Sequence, residues 1–520
     1  MSLPLTSRTP GILFRGRRHG PGPRVGIPPP SSMVRAGSVT RSALLRAASA
    51  ASLGLATSWA VTGCMGGVVR GRGLARPQTA STAIALVFQT NIPLNFWNPT
   101  TQHIFQQFID AHFNAQHRGL RAVIFPGGWG DTQPQIVATL AGKGYADIFM
   151  QCCASLPTME QAGIVAPLDA LLQQDNIPRT LWVREHLRAA TYAGHLYGLP
   201  AYDATHCIFY RQDMLDQLGL SYPDPSWTAA EAARLWTAAS GTNRDGSHRA
   251  GMSFYWGSGW MPFWLRGWGA SYASPDQTRA TMDTAQGRAA VGYFVGLVHS
   301  GVAIPGQQNP QLLPSAKAVF AEYHSAHILD VGVQILGNNF KWNILPMPRW
   351  PARRATGGGN SSYMLNRDAR HRVAAWTLLK WLTGAGGDMS WPKFQIQISL
   401  VTPALLNLWD YWQTAVVRTA PVLKGKDIHW FAAPALQDYE YSQVFYRYQP
   451  LAADDDVNTW LNAITSGHVD VTLGLKQMQG QVNALERVSQ RHPSPDGTTL
   501  IAVRRRWARR LARMFAPSGG

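Results

Sequence analysis

Short apolar runs alternate with segments of helical period in the first part of the chain, and this alternation limits the fold more than any other feature. Ala83 to Phe88 reads as a buried strand. Ile104, Phe105, Phe108, Ile109 and Phe113 recur at helical spacing, and Arg121 to Phe125 reads as a second strand. A glycine-rich turn over 127–132, a helix from Pro134 to about Ala141 and a third apolar run from Ala146 to Met150 follow. Strands that alternate with helices imply a mainly parallel sheet flanked by helices, an α/β fold. Ligands of such sheets bind beyond the carboxyl ends of the strands. The loops carrying Trp97, Trp129 and Asp147 would then share one rim.

Gly194 to Asp203 separates two segments of different pattern and reads as a hinge. Gly194 and Gly198 permit turns, and Pro200 removes a backbone donor and pushes Leu199 toward extended geometry. Beyond it, Thr205 to Tyr210 reads as a strand carrying Cys207, and Arg211 to Leu218 as a helix stopped by Gly219. Thr228 is the expected N-cap of a helix over Ala229 to Ala239. Trp256, Trp260, Trp264 and Trp268 lie four apart, as one helix face would have them, but Gly257, Gly259, Pro262 and Gly267 argue against a regular helix. Ala316 to Glu322 reads as a helix, Lys341 to Pro348 as a strand and Gly357 to Tyr363 as a glycine loop. Val373 to Leu382 is an amphipathic helix, and Val457 to Ile464 with Val471 to Val488 form a terminal helical pair.

The chain has 520 residues, room for two or three domains, and its net charge of +18 is concentrated at the ends. Residues 1–64 hold eight arginines and no acid, and Arg504 to Arg513 hold six more. A nucleic-acid-binding body would carry that charge on the fold itself, so no nucleic-acid partner is expected. Residues 1–32 are rich in Pro, Gly and Arg and form a disordered extension or precede the true start at Met33. Residues 33–64 follow a signal-peptide plan, with Arg35, Arg41 and Arg46 before an uncharged run from Ala47 to Gly63. Val61-Thr62-Gly63-Cys64 resembles a bacterial lipobox, whose cysteine is acylated and becomes the anchored N-terminus; several acyl chains anchor firmly where one would not. The alternatives are a plain signal peptide or a membrane helix with a chance cysteine. Residues 65–80 read as a tether.

No metal or cofactor is expected. His324 and His327 are close in sequence, but no His-Glu-x-x-His or Cys-x-x-Cys supports them, and Walker, dinucleotide and nucleophile-elbow motifs are missing from the sequence. Four cysteines are too few for a disulfide scaffold in a chain of this size. Cys152 and Cys153 read as small core residues, with a disulfide to Cys207 as the other option.

The order of segments resembles the family 1 extracellular solute-binding proteins, the lipid-anchored receptors of carbohydrate ABC importers, over roughly Ser81 to Val488. The matching pieces are Ala146-Asp147-Ile148, Gly163 to Asp169, Gly194 to Pro200, Ile208 to Leu215, Ser226 to Glu231, Val319 to Glu322, Leu345 to Pro348, Gly357 to Tyr363 and Ala374 to Thr383. Two departures stand out. Tyr323-His324-Ser325-Ala326-His327 replaces the usual Gly-Lys-Ala-Ala-Met, and Arg211 replaces a usual Asn.

The resemblance implies a two-lobed, periplasmic-binding-protein-like fold with ligand trapped between lobes that close about hinge crossings. Lobe 1 would span 81–199 and 360–405, lobe 2 would span 205–355 and 410–490, and 491–520 would be a basic tail. Gly194 to Asp203 and Gly357 to Ser362 would be neighbouring crossings. A sugar offers apolar C–H faces ringed by hydroxyls, so its receptor needs flat aromatic rings and directional polar groups. Trp97, Trp129, Asp131, Asp147, Tyr202, Asp203, Trp256, Trp268 and Asn360 are the residues expected at the cleft. Core packing is the other reading for each Trp, and for Asp147 a helix or turn cap.

The expected function is non-catalytic capture of a carbohydrate outside the cell, as a monomer anchored to the membrane through Cys64 and partnered by ABC permease subunits. A secreted glycosidase or lyase, whose two carboxylates need no sequence pattern, and a receptor for a non-sugar solute such as a peptide are the alternatives. The arginine tail, with Trp507, Leu511, Met514 and Phe515 interleaved, is either a basic amphipathic helix on anionic lipid or a solvated tail.

Overall fold

The computed structural model describes residues 83–90, 99–126, 146–152, 156–259, 261–306, 309–356, 358–432 and 453–491. Three parallel strands begin the fold: β1 (Ile84–Thr90), β2 (Leu120–Pro126) and β3 (Ile148–Cys152), with β1 between the other two. A short hairpin, β4 (Thr191–Tyr192) and β5 (His195–Leu196), turns at Ala193 and Gly194, both at positive φ (48° and 87°), as a two-residue hairpin turn requires. It feeds β6 (Gly198–Arg211), a strand of 14 residues.

The remaining strands are β7 (Gly241–Thr242), β8 (His248–Tyr255), β9 (Ala303–Gly306), β10 (Ala318–His324), β11 (Trp342–Pro346), β12 (Gly358–Leu365) and β13 (Thr402–Pro403). One sheet runs β2-β1-β3-β12-β6-β10-β8-β7, with β11 and β13 added along β6 and β9 against β8. The first half of β6 pairs antiparallel with β12, and the second half with β10 and β11. Of the stretch expected as a hinge, only Gly194 turns; His195–Leu196 and Gly198 onward are strand, and most of the expected glycine loop, from Gly358, is the strand that pairs with β6. Pro200 sits where the β6–β12 register shifts at a bulge, a place that tolerates a residue without an N–H.

Side chains of β6 alternate between two cores, as strand geometry demands. Cys207 and Phe209 join a cluster that holds Phe88, Met150, Tyr363 and Trp391 and continues onto Ala321, Tyr323 and Ile344. Ile208 and Tyr210 face a second cluster with Phe254, Trp264, Phe294 and Phe320. The terminal helices Ala453–Thr465 and Val471–Arg491 close that second core through Trp460, Leu475 and Met478.

Several local expectations hold. Thr228 caps the helix Ala229–Ala239 in a capping box with Glu231, and the amphipathic helix runs Arg372–Thr383. Ala318–His324, by contrast, is strand, not helix, and six of its seven residues are buried. A short apolar run of this kind cannot be told from a helix by periodicity, and here sheet pairing on both edges decides. Within the tryptophan series the helix is short, Met261–Gly267, and carries Trp264 while Trp256 and Trp268 lie outside it; Pro262 falls in its first turn, where no N–H is needed.

Glycines at close approaches fix how helices seat on the sheet. A Cβ at Gly251 of β8 would lie 1.9 Å from the Trp236 carbonyl oxygen, a backbone atom that cannot yield. Gly251→Ala is expected to destabilise the protein by about 3 kcal/mol. Gly292→Ala, in a helix with open space around it, should be neutral or stabilising by about 0.5–1 kcal/mol. Urea midpoints of the two variants check the contrast.

Candidate functional site

The strands that run between the two cores meet at Asp203. β6 carries it with β12 on one edge, where Asn360 pairs with Asp203, and β13 on the other, where Thr402 pairs with it. The carboxylate is fully buried. His186 Nε2, from the helix Arg184–Ala189, lies 3.1 Å from its Oδ1, and Thr205 Oγ1 donates to its Oδ2. The Asp203 carbonyl accepts from Ser325 Oγ and Thr402 Oγ1, both at 2.8 Å. Thr402 and Ser325 hydroxyls lie 2.8 Å apart, and the Ser325 N–H donates to Thr205 O at 3.0 Å. One residue thus ties β6, β13 and the turn after β10 together.

The approach to this knot is tight and strained. A Cβ at Gly198 would lie 2.7 Å from the Ser362 Cβ of β12, so glycine permits the two strands their contact. Leu400, just before β13, is held at φ 59°, and its carbonyl accepts from Trp412 Nε1 at 3.0 Å. A left-handed leucine costs on the order of 1–3 kcal/mol and persists only where its surroundings over-determine it.

Next to Asp203, on β6 and β10, lies a second polar group. His206 and Glu322 are wholly buried, with His206 Nδ1 3.0 Å from Glu322 Oε1. Burial pushes the Glu322 carboxyl up to about 8, against a stabilising N–H from Tyr255. Burial likewise pulls His206 and His324 well below the ordinary histidine range, helped in both by the neighbouring His327 and, in His324, by His206; Asp203 pulls His206 the other way. These groups are neutral near pH 7, as desolvation demands. Among the described residues, no group of three or more His, Cys, Asp or Glu is arranged to hold a metal ion.

The residues expected at the cleft fall into four sets. Trp97, Trp129 and Asp131 lie outside the described residues. Asp147, Tyr202 and Asp203 are buried and engaged within the protein. Asp147 accepts from Val87 N–H at 2.9 Å, and its carbonyl accepts from Asn366 N–H at 2.9 Å, so it joins β1 to the end of β12. Tyr202 is packed in the first core, with Ser361 Oγ 3.4 Å from its hydroxyl. Trp256 stacks on Phe294 at 3.9 Å and Trp268 lies 5.4 Å from Tyr293, so both serve the second core. Asn360 has its backbone on the Asp203 crossing.

His186, Thr205, Ser325, Thr402 and the His206–Glu322 pair did not emerge from sequence reasoning. Their signal is the run Asp203, Thr205, His206 inside an otherwise apolar strand. Cys207 is a free, buried thiol, whereas the Cys152 side chain and Cys153 lie outside the described residues. Arg211 grips Asp213 with two hydrogen bonds of 2.7 Å, donates to Leu313 O and stacks on Phe340.

The model of the bacterial extracellular solute-binding protein family matches residues 98–389, more than half of the chain. The protein belongs to that family, whose members work outside the cytoplasm. A Brucella abortus protein designated a binding protein is 20% identical over 281 residues, covering 52% of this chain and 66% of that one. The chain thus spans just under two thirds of its relative's length.

Among solved structures, the Listeria monocytogenes ABC substrate-binding protein in complex with cycloalternan is 16% identical with a TM-score of 0.63, over 77% of this chain and 98% of that one. The sugar-binding protein MalE of Xanthomonas citri is 14% identical with a TM-score of 0.63, over 78% and 98%. The cyclic alpha-maltosyl-1,6-maltose binding protein of Arthrobacter globiformis is 18% identical with a TM-score of 0.62, over 78% and 99%. These likenesses establish the two-lobed periplasmic-binding-protein-like fold.

If the Asp203 carboxylate holds the crossings, its loss shows without any ligand. Asp203→Ala strands His186 and Thr205 and is expected to cost about 3–5 kcal/mol, with Asp203→Asn costing less. Denaturant unfolding of the ligand-free protein measures both.

Proposed function

We propose that the protein is a lipid-anchored receptor that captures a carbohydrate, an oligosaccharide by preference, and presents it to an ABC importer. The observation that carries this reading is the set of adjoining crossings at Asp203, in a chain of the solute-binding family. In this reading 81–199 with 360–405 form one lobe and 205–355 with 410–490 the other. Ligand favours the closed arrangement by its differential affinity for it, and the permease reads the closed surface. The protein acts as a non-catalytic monomer, held to the membrane through acylated Cys64. The sugar chemistry is supported by the solved relatives named above and by the low charge of this chain, 15% charged residues against roughly 25% in typical soluble domains.

Asp147, Tyr202 and Asp203 make internal contacts and Trp256 and Trp268 pack against the second core, so this reading gives first place in ligand contact to Trp97, Trp129, Asp131 and Asn360. Trp129, flanked by Gly128 and Gly130, offers a ring that a pyranose face can stack on.

A melting screen against oligosaccharides and peptides tests the reading. At a ligand concentration 100 times Kd, binding stabilises the folded state by about 2.7 kcal/mol, seen as a rise in melting temperature without turnover. Trp129→Ala is expected to weaken the sugar response about tenfold and to leave the ligand-free melting temperature unchanged. Sustained hydrolysis or lysis of an oligosaccharide would replace the receptor by an enzyme, and a response to peptides alone would replace the sugar.

A further inference from the structure

Five titratable side chains form a line from the interior to the partly exposed edge of the crossings. Glu322 and His206 are buried and 3.0 Å apart. The His206 and His324 rings are 5.5 Å apart by centroid, the His324 and His327 rings 4.4 Å, and His327 Nδ1 lies 3.0 Å from Asp330 Oδ2. His327 and Asp330 keep 16% and 17% of their side chains exposed, and His324 is also partly exposed. The next residue after His324 is Ser325, the pin that bonds Thr205, Asp203 and Thr402.

We propose that this line is a proton-sensitive latch: charging Glu322, or charging His206 and His324, loosens the turn that carries Ser325, and with it that turn's hold on Asp203 and Thr402. Any effect on lobe closure rests on the receptor reading above; the loosening of the turn does not.

The surroundings set the sign. β6 contributes Asp203, His206 and Cys207; β8 contributes the Tyr255 N–H; the helix Met261–Gly267 sets the Phe263 ring 6.0 Å from His206. The segment after β10 contributes His327 and Asp330, and Arg354 acts on the neighbouring Cys207. The histidines are held below their ordinary value of 6.5, so an opened turn binds protons that the closed one refuses as pH falls below 6.5. Glu322 is held above its ordinary 4.5, so between 4.5 and about 8 the opened turn releases a proton that the closed one keeps. Below 6.5 two histidines work against one glutamate; between 6.5 and 8 the glutamate acts alone. The turn is therefore tightest near pH 6.5 and loosens by about tenfold per pH unit on either side.

Hydrogen exchange of the full ligand-free protein, corrected for intrinsic rates, reads this directly over residues 318–330 and 402–405. Protection should peak near pH 6.5. Glu322→Gln should abolish the loss between 6.5 and 8 and steepen the acid side toward a hundredfold per unit, because both histidines then act unopposed. His324→Gln, at a partly exposed position that should not endanger folding, should flatten the acid side. A Glu322→Gln protein that keeps the tenfold loss from 6.5 to 8, or a His324→Gln protein with an unchanged acid side, overturns the latch. A chain that shows the latch profile but no melting response to any oligosaccharide overturns the receptor reading alone.

Discussion

Everything in this fold passes through the pairing of β6 with its neighbours at Asp203. A buried carboxylate survives only where its oxygens are satisfied, and here His186 and Thr205 flank it while its own carbonyl gathers Ser325 and Thr402. The bonds come from four separate segments of chain. Bending between the two halves of the sheet must either preserve this knot as a pivot or break several buried hydrogen bonds at once, each about 1–3 kcal/mol when a partner is lost. The geometry favours a pivot. The left-handed Leu400 and the close Gly198–Ser362 contact sit at the same crossings, where strain is commonly stored in moving parts.

The alternation of strand and helix was enough to read the class of fold, and the order of segments was enough to place two crossings next to each other. Asn360 pairs with Asp203 as that reading required. What could not be read was the form of the crossing. Gly194, Gly198 and Pro200 speak for a loop, yet only Ala193 and Gly194 turn, while Gly198 and Pro200 serve a close contact and a bulge inside a long strand. Ala318–His324 failed for a related reason: a strand buried on both faces has no alternation to reveal it.

Site residues were harder still. An aspartate at a predicted hinge suits a ligand's hydroxyl and a buried knot equally, because hydrogen-bonding capacity is the same in both. For the Asp203 carboxylate the partners in this structure are His186 and, two residues along the same strand, Thr205. Trp256 and Trp268 follow the same logic, since a ring that can stack on a sugar can also stack on Phe294 or Tyr293.

Small-angle scattering of the ligand-free and sugar-saturated protein tests this account most directly. Closure about the Asp203 crossings predicts a smaller radius of gyration with bound oligosaccharide, and an unfolding midpoint that rises with it. Tight binding with no change in the radius of gyration would contradict a trap that works by closing.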